Sequence, residues 1–297
     1  MEAEVKEQEK VKFYNEIEAI VTKHINNFYK NGGKGTIGVY IKELGTNYEY
    51  GFNAEKTNPE NPEEGYFMTA STCKLLSAAV IYYLDNNNEM ELDKTCTDNV
   101  SKAKYNLKSL IPRMISHSVN GYFNITLRHL GSQKINEILE KLEVKNSLVY
   151  SEIMPAPYTS VKNNIKRYGI SKSPRTTPKD LGYVLWLLYD GKTFGAENDK
   201  MLTEALKSSI YSNRLPQGIG HKSPVGHKTG TSAGDGVYND AGIIYLKDNP
   251  YIMVVMSRGS GSGVQAAYRS MAMEVYKYMS KRIPSKSETQ ESKKGFY

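Results

Sequence analysis

Cysteine is scarce in these 297 residues. Cys73 and Cys96 are too few for a disulfide framework. Cys73 lies inside an apolar helical run and reads as a small buried hydrophobe; a catalytic thiol would need a histidine partner that no motif supplies. The five histidines (His24, His117, His129, His221, His227) show no metal-binding spacing, so no metal site is expected. Long apolar runs are missing as well, and no stretch reaches the roughly 18 residues of a membrane-spanning helix. The opening segment MEAEVKEQEKVKFYNE is charged throughout and has no apolar signal core. Two alternatives follow: a cytoplasmic protein, or an exported one whose signal or anchor is not in this chain.

What is present is an ordinary soluble composition, 39% hydrophobic and 24% charged. The length allows one large domain or two intimately packed lobes. Lys and Arg total 39 against 32 Asp and Glu, a net charge of +7. That balance suits nucleic acid or a polyanionic bacterial wall or membrane surface. No zinc-finger spacing, RRM signature or arginine-rich run accompanies it, so nucleic acid is not an expected partner. Solvated lysines are the simplest account. No cofactor is implied, and a monomer is expected.

Ile17, Ile20, Val21, Ile25 and Phe28 recur at helical spacing and predict an amphipathic first helix ending near Gly32 and Gly33, the element assigned to residues 1–32. Ile37, Val39 and Ile41 alternate before a turn at 44–47 and a second run at Tyr48, Tyr50 and Phe52, which reads as a β-hairpin. Residues 71–84 form a helix apolar nearly all round, hence buried. From about 90 to 190 the pattern is mostly helical, interrupted over 146–175 by a long irregular loop with Pro155, Pro157 and Pro174; loops of that length tend to be functional. Pro178 opens another helix. Strands follow at 227–231, 241–246 and 251–257, then a helix over 265–281. The pattern predicts an α/β protein of the α+β type: an antiparallel sheet flanked by helices (33–66 and 220–281) plus an all-helical lobe (67–219). A polar, disordered tail is expected over 282–297.

Three short motifs stand in one order: Ser71-Thr72-Cys73-Lys74, Ser118-Val119-Asn120 and Lys228-Thr229-Gly230, with 47 residues from Ser71 to Ser118 and 110 from Ser118 to Lys228. Ser71 opens the buried helix, where backbone N–H groups and the helix dipole favour negative charge. Lys74 lies one turn along the same face, so its amine reaches the serine oxygen. Burial and the charge of Lys228 both lower a lysine pKa, making a neutral amine accessible as base. Ser118 is placed to relay a proton to a leaving nitrogen, and Asn120 to bind Lys74 and a substrate amide carbonyl. Lys228 and Thr229 offer charge and a hydroxyl to a substrate carboxylate. Gly230 lets substrate lie against the strand, and the Thr231 N–H pairs with that of Ser71 as an oxyanion hole. His227 alternates to the face opposite Lys228 and is read as structural.

The trio is that of class A β-lactamases and penicillin-binding proteins. The segment Phe67–Lys74, the segment Met114–Asn124, Arg175-Thr176-Thr177-Pro178-Lys179-Asp180, and His227–Gly230 with Asn239-Asp240 together resemble class A serine β-lactamases. The likeness runs from about residue 33 to 281. It implies the α/β serine β-lactamase/transpeptidase fold.

Three departures stand out against that family. The resemblance implies a glutamate in the loop before Thr176-Thr177-Pro178, which activates the water that frees the acyl-enzyme, yet Tyr158–Lys166 contains no acid, and Glu152 is the only carboxylate between 150 and 175. An aspartate that pins this loop is replaced by Arg175. The family also places a carboxylate-binding arginine on the strand after Lys228-Thr229-Gly230; that region reads Tyr238, and Arg258 and Arg269 are the candidates to replace it.

General-base help is worth roughly a hundred- to ten-thousandfold, so without the loop acid an acyl-enzyme should persist. Three readings stay open. One is a class A-like β-lactamase acting through acyl-Ser71. Another is a penicillin-binding D,D-peptidase or transpeptidase acting on peptidoglycan stem peptides, and the third is a β-lactam-binding or sensor domain without turnover. Each meets its ligand outside the cytoplasm, which selects a secreted or membrane-anchored protein.

Overall fold

The computed structural model describes residues 2–55, 65–149, 151–153 and 174–282. Its frame is a five-stranded antiparallel sheet of β1 (Thr36–Glu43), β2 (Glu49–Phe52), β7 (Val225–Ser232), β8 (Val237–Ile244) and β9 (Tyr251–Arg258), in the order β2-β1-β9-β8-β7. Both chain ends build it, which leaves β7 on an edge. Alternation along the strands sorts two cores. Ile37, Val39, Ile41, Tyr251, Met253 and Val255 point to one face, and Tyr40, Ile252, Val254 and Met256 to the other. Covered on both faces, β8 is buried along its whole length, polar residues included.

The first face is covered by α1 (Glu2–Lys30) and the C-terminal helix Val264–Lys281. Phe13, Ile17, Val21 and Ile25 of α1, each four residues after the last, pack on Val264, Tyr268, Met271 and Val275. The second face receives the helical lobe: α2 (Cys73–Asn86), α3 (Leu107–Ser116), α4 (Asn120–Leu130), α5 (Ser132–Lys141), α6 (Pro178–Asp190) and α7 (Ala196–Lys207). As expected of a helix apolar on every side, α2 is buried from Cys73 to Tyr82. Asn106 caps α3 by accepting from Ser109 N at 2.9 Å, and Thr177 caps α6 by accepting from Asp180 N at 3.1 Å. Two short ribbons complete the lobe: β3 (Phe67–Met68) with β6 (Arg175–Thr176), and β4 (Cys96–Thr97) with β5 (Lys104–Tyr105).

Four boundaries differ from the sequence reading. The strand expected at 241–246 is β8, which starts at Val237 and ends at Ile244; its first half is polar at Asn239 and Asp240, which breaks the apolar signal. The chain returns to the sheet by Leu215 rather than 220, because Leu215 and Ile219, on the short helix α8 (Leu215–Gly218), pack into the sheet-side core. The C-terminal helix Val264–Lys281 is α9. Arg282, placed in the tail by composition, donates from Nε to the buried Glu43 at 2.7 Å; residues 283–297 lie outside the described residues. Finally, the irregular loop is ordered at its base, where Leu148 and Arg175 exchange backbone hydrogen bonds of 2.8 and 3.1 Å. Its span 154–173, with the stretch Tyr158–Lys166, lies outside the described residues.

Candidate active site

Ser71 does not open the α-helix itself. It sits on a single 3-10 turn, Ala70–Thr72, directly before α2, and Ala70 is held at φ +43°. A non-glycine residue in that region stores strain, on the order of 1–3 kcal/mol. The spacing argument holds nonetheless: Lys74 Nζ lies 2.7 Å from Ser71 Oγ. The same amine donates to Asn120 Oδ1 at 2.7 Å and approaches Ser118 Oγ at 3.4 Å. Lys228 Nζ donates to Ser118 Oγ at 2.9 Å and to Thr229 O at 2.8 Å. Ser118 thus stands between the two lysines. It does so from a left-handed backbone, φ +56°, at the junction of α3 and α4.

Both lysines are fully buried, and among the described residues neither has a carboxylate partner. Burial lowers the Lys74 amine to about 8. Lys228 is lowered to about 7, first by burial and then by the charge of Lys74. Burial is the largest cause at both amines, and the repulsion expected from the sequence adds to it at Lys228. Beside them, burial pushes the Cys73 thiol up to about 11, so it stays protonated and inert.

Edge strand β7 faces the nucleophile turn. A Cβ at Gly230 would stand 2.6 Å from Thr69 O and 3.1 Å from Ser71 N, so this glycine is required by the nucleophile turn itself. His227 lies on the other face, as expected, where Nδ1 meets Asp240 Oδ1 at 2.7 Å. Burial alone would raise the Asp240 carboxyl; His227, Arg214 and the Leu215 N–H hold it below the usual carboxylate range.

The arginine candidates are displaced. Arg258 Nη1 points to Tyr66 O at 3.5 Å, and Arg269 Nη1 donates to Asn213 O at 3.2 Å. Arg214, which the sequence reading missed, reaches the site instead. Its Nη2 donates to Thr231 Oγ1 at 2.6 Å, Nη1 to Asn239 O at 2.6 Å, and its guanidinium lies 5.8 Å from the Tyr238 ring. It stands in a loop before the four-residue α8, where no periodicity marks its depth.

One face of α4 links the catalytic lysine to the start of the irregular loop. Asn120, Asn124 and Arg128 recur every four residues along it. Asn124 clamps the Ile153 backbone with both amide atoms, Nδ2 to Ile153 O and Oδ1 from Ile153 N, each at 2.8 Å. Arg128 pairs with Glu152 at 2.9 Å and with Asp98 at 2.8 Å. The loop's one sequence-identified carboxylate is thereby occupied.

Ser71, Lys74, Ser118, Asn120 and Lys228 form one hydrogen-bonded cluster, with Thr229, Gly230 and Thr231 following on β7. A hydroxyl beside a buried amine, with a second hydroxyl bridged to a second amine, is suited to nucleophilic acyl transfer.

The family model described as "Beta-lactamase enzyme family" matches residues 17–279. Among solved structures, PBP-A superposes with a TM-score of 0.71 at 17% identity, over 90% of this chain and 97% of its own. A PBP-A variant in an acyl-enzyme complex with penicillin G gives 0.70 at 17% identity, over 90% and 97%. A β-lactamase from Sphaerobacter thermophilus gives 0.71 at 17% identity, over 91% and 99%. At such identities the likeness is one of fold, the antiparallel sheet with a helical lobe described above. No curated protein sequence matches.

Proposed function

We propose, because this chain belongs to the β-lactamase enzyme family, that it is a serine hydrolase that opens β-lactam amides through an acyl-Ser71 ester and releases that ester slowly. One observation carries the reading: Lys74 Nζ, a buried amine lowered to about 8, lies 2.7 Å from Ser71 Oγ. When neutral, this amine takes the hydroxyl proton as Ser71 Oγ adds to the lactam carbonyl. The oxyanion is assigned to the N–H groups of Ser71 and Thr231. Collapse breaks the C–N bond as Ser118 gives its hydroxyl proton to the leaving nitrogen and takes from Lys74, 3.4 Å away, the proton that came from Ser71, which returns the amine to its neutral form; Lys228 holds Ser118 at 2.9 Å. Asn120 bridges Lys74 and the substrate's side-chain amide. The substrate carboxylate is assigned to Lys228, Thr229 and Thr231, with Arg214 behind Thr231.

Release of the ester needs a base for water. Glu152 is tied to Arg128 at 2.9 Å, and its neighbour Ile153, clamped by Asn124, is apolar. This favours a second reading, a penicillin-binding D,D-peptidase or transpeptidase whose natural acyl donor is a peptidoglycan stem peptide. Either substrate is met outside the cytoplasm, so an extracytoplasmic location is proposed with both.

Incubation with a chromogenic cephalosporin, followed by intact-mass measurement, tests the assignment. A one-to-one adduct that decays slowly and is lost in Ser71→Ala supports it. Rapid steady turnover would favour an efficient β-lactamase; neither adduct nor turnover would sink the Ser71 assignment for lactams.

A further inference from the structure

The two N–H groups assigned to the oxyanion belong to segments far apart in sequence. Ser71 sits on the 3-10 turn before α2, and Thr231 lies near the end of edge strand β7. Oxyanion stabilisation depends on donors held to a few tenths of an ångström. From the contacts of one side chain we infer that Asn239 is the positioning residue that fixes these two segments relative to each other. The inference rests on the acyl-Ser71 reading.

Asn239 lies on β8, fully buried, and its partner across the ladder is Gly230. Directly opposite residues of an antiparallel pair share a face, so the missing side chain at Gly230 leaves a passage beside the strand. Through it Asn239 Nδ2 donates to Met68 O at 2.8 Å and Thr69 O at 3.1 Å, the two carbonyls just before Ala70 and Ser71. At the other end of the amide, Oδ1 accepts from Ser257 N of β9 at 3.2 Å. The backbone carbonyl of the same residue accepts from Arg214 Nη1 at 2.6 Å, and Arg214 Nη2 continues to Thr231 Oγ1 at 2.6 Å. One residue is therefore joined to both halves of the hole.

The chemistry suits asparagine and little else. One end of the group must donate to carbonyls and the other must accept an N–H. Aspartate would set a carboxylate against two carbonyl oxygens, and serine is too short to span both contacts. The clamp also explains how Ala70 keeps its strained φ of +43°, since strain of this kind persists only where the surroundings over-determine it.

The test compares Asn239→Ala and Asn239→Ser with the unmodified chain. Four quantities are read: the acylation rate per labelled molecule with a chromogenic cephalosporin, the affinity for an arylboronic acid, the pH of half-maximal acylation, and the thermal midpoint. The boronate forms a tetrahedral serine adduct that places an oxygen in the hole. Removing an oxyanion donor outright costs about a hundred- to a thousandfold. Loosening the hole should slow acylation by about ten- to a hundredfold, with a parallel loss of boronate affinity. The pH of half-maximal acylation should stay put, because the contacts of Lys74 with Ser71 and Asn120 are untouched.

Variants that acylate and bind boronate like the unmodified chain, changed only in thermal midpoint or labelled fraction, overturn the inference. Should both fail to fold, Asn239→Asp carries the test, since its carboxylate cannot donate to Met68 O and Thr69 O; undiminished boronate affinity there overturns it equally. An unmodified chain that forms no boronate adduct at Ser71 overturns the underlying acyl-serine reading, and the inference with it.

Discussion

The Glu152 carboxylate lies 2.9 Å from Arg128, on the same face of α4 that carries Asn120 two turns earlier. Eight residues of helix place those two positions about 12 Å apart along the axis. Asn120 holds the catalytic lysine; Arg128 holds the loop's acid away from it. The intermediate turn belongs to Asn124 and its grip on Ile153. One helix face thus positions the acylation machinery and fixes the start of the loop on which deacylation depends.

Acylation should follow the neutral fraction of Lys74. With its amine lowered to about 8, the rate should climb with pH and level off above that value. The effect on stability has a definite sign. The folded pKa is below the ordinary 10.5, so the unfolded chain binds more protons across that window, and stability rises with pH from about 8 to 10.5. Below 8 the full penalty of the buried charge is present. Lys74→Met removes both the base and the penalty: acylation should fall by about a hundred- to ten-thousandfold, and the protein should gain on the order of 1–2 kcal/mol at neutral pH. Stopped-flow acylation and thermal denaturation at several pH values check the pair. A flat pH–rate profile, or a destabilised variant, contradicts the assignment.

An acid grafted next to the clamp should shorten the life of the acyl-enzyme. Ile153 is the described loop residue whose backbone is tied to α4 one turn from Asn120. Ile153→Glu places a carboxylate there while the two backbone hydrogen bonds to Asn124 remain. Deacylation, followed as decay of the covalent mass adduct, should accelerate by about tenfold or more, approaching the range of general-base catalysis. An unchanged adduct lifetime would mean that this position does not face the ester.

Arg214 should act on substrates in proportion to their carboxylate. A charge-assisted hydrogen bond is worth about 1.5–3 kcal/mol, so Arg214→Leu should weaken acylation efficiency toward carboxylate-bearing lactams by roughly ten- to a hundredfold. Neutral ester derivatives of the same lactams should be affected far less. Equal losses on both would mark Arg214 as a support for the Asn239 carbonyl and the Thr231 hydroxyl alone.

The acylating cluster was legible in two ways: Ser71 and Lys74 meet through one helical turn, whereas Ser118, Asn120 and Lys228, far apart in the chain, were marked by motifs that resemble those of class A β-lactamases. Arg214, Asn239 and Arg128 act through contacts between elements far apart in the chain, where no periodicity points. The β8 start escaped for a related reason: Asn239 and Asp240 are polar yet buried, satisfied by Met68, Thr69, Leu215 and His227 from other segments. Glu152 was visible as the sole loop acid, but only the fold shows that it is paired.

Glu152→Gln separates the two accounts of turnover. If Glu152 were the deacylating base, the amide would leave an acyl-enzyme that persists far longer than in the unmodified chain, by about a hundredfold or more. The pairing argues otherwise: Glu152 Oε2 is committed to Arg128 Nη1, and its side chain is 4% exposed. The amide still accepts from Arg128 but brings no charge, so the guanidinium keeps Asp98 and loses half its compensation. Breaking one arm of a buried ion cluster costs up to about 3–5 kcal/mol, and the retained hydrogen bond reduces that. The expected outcome is a lowered thermal midpoint, with an adduct lifetime within about twofold of the unmodified chain under conditions where both are folded. Adduct decay by intact mass, read beside thermal denaturation, distinguishes a structural acid from a catalytic one.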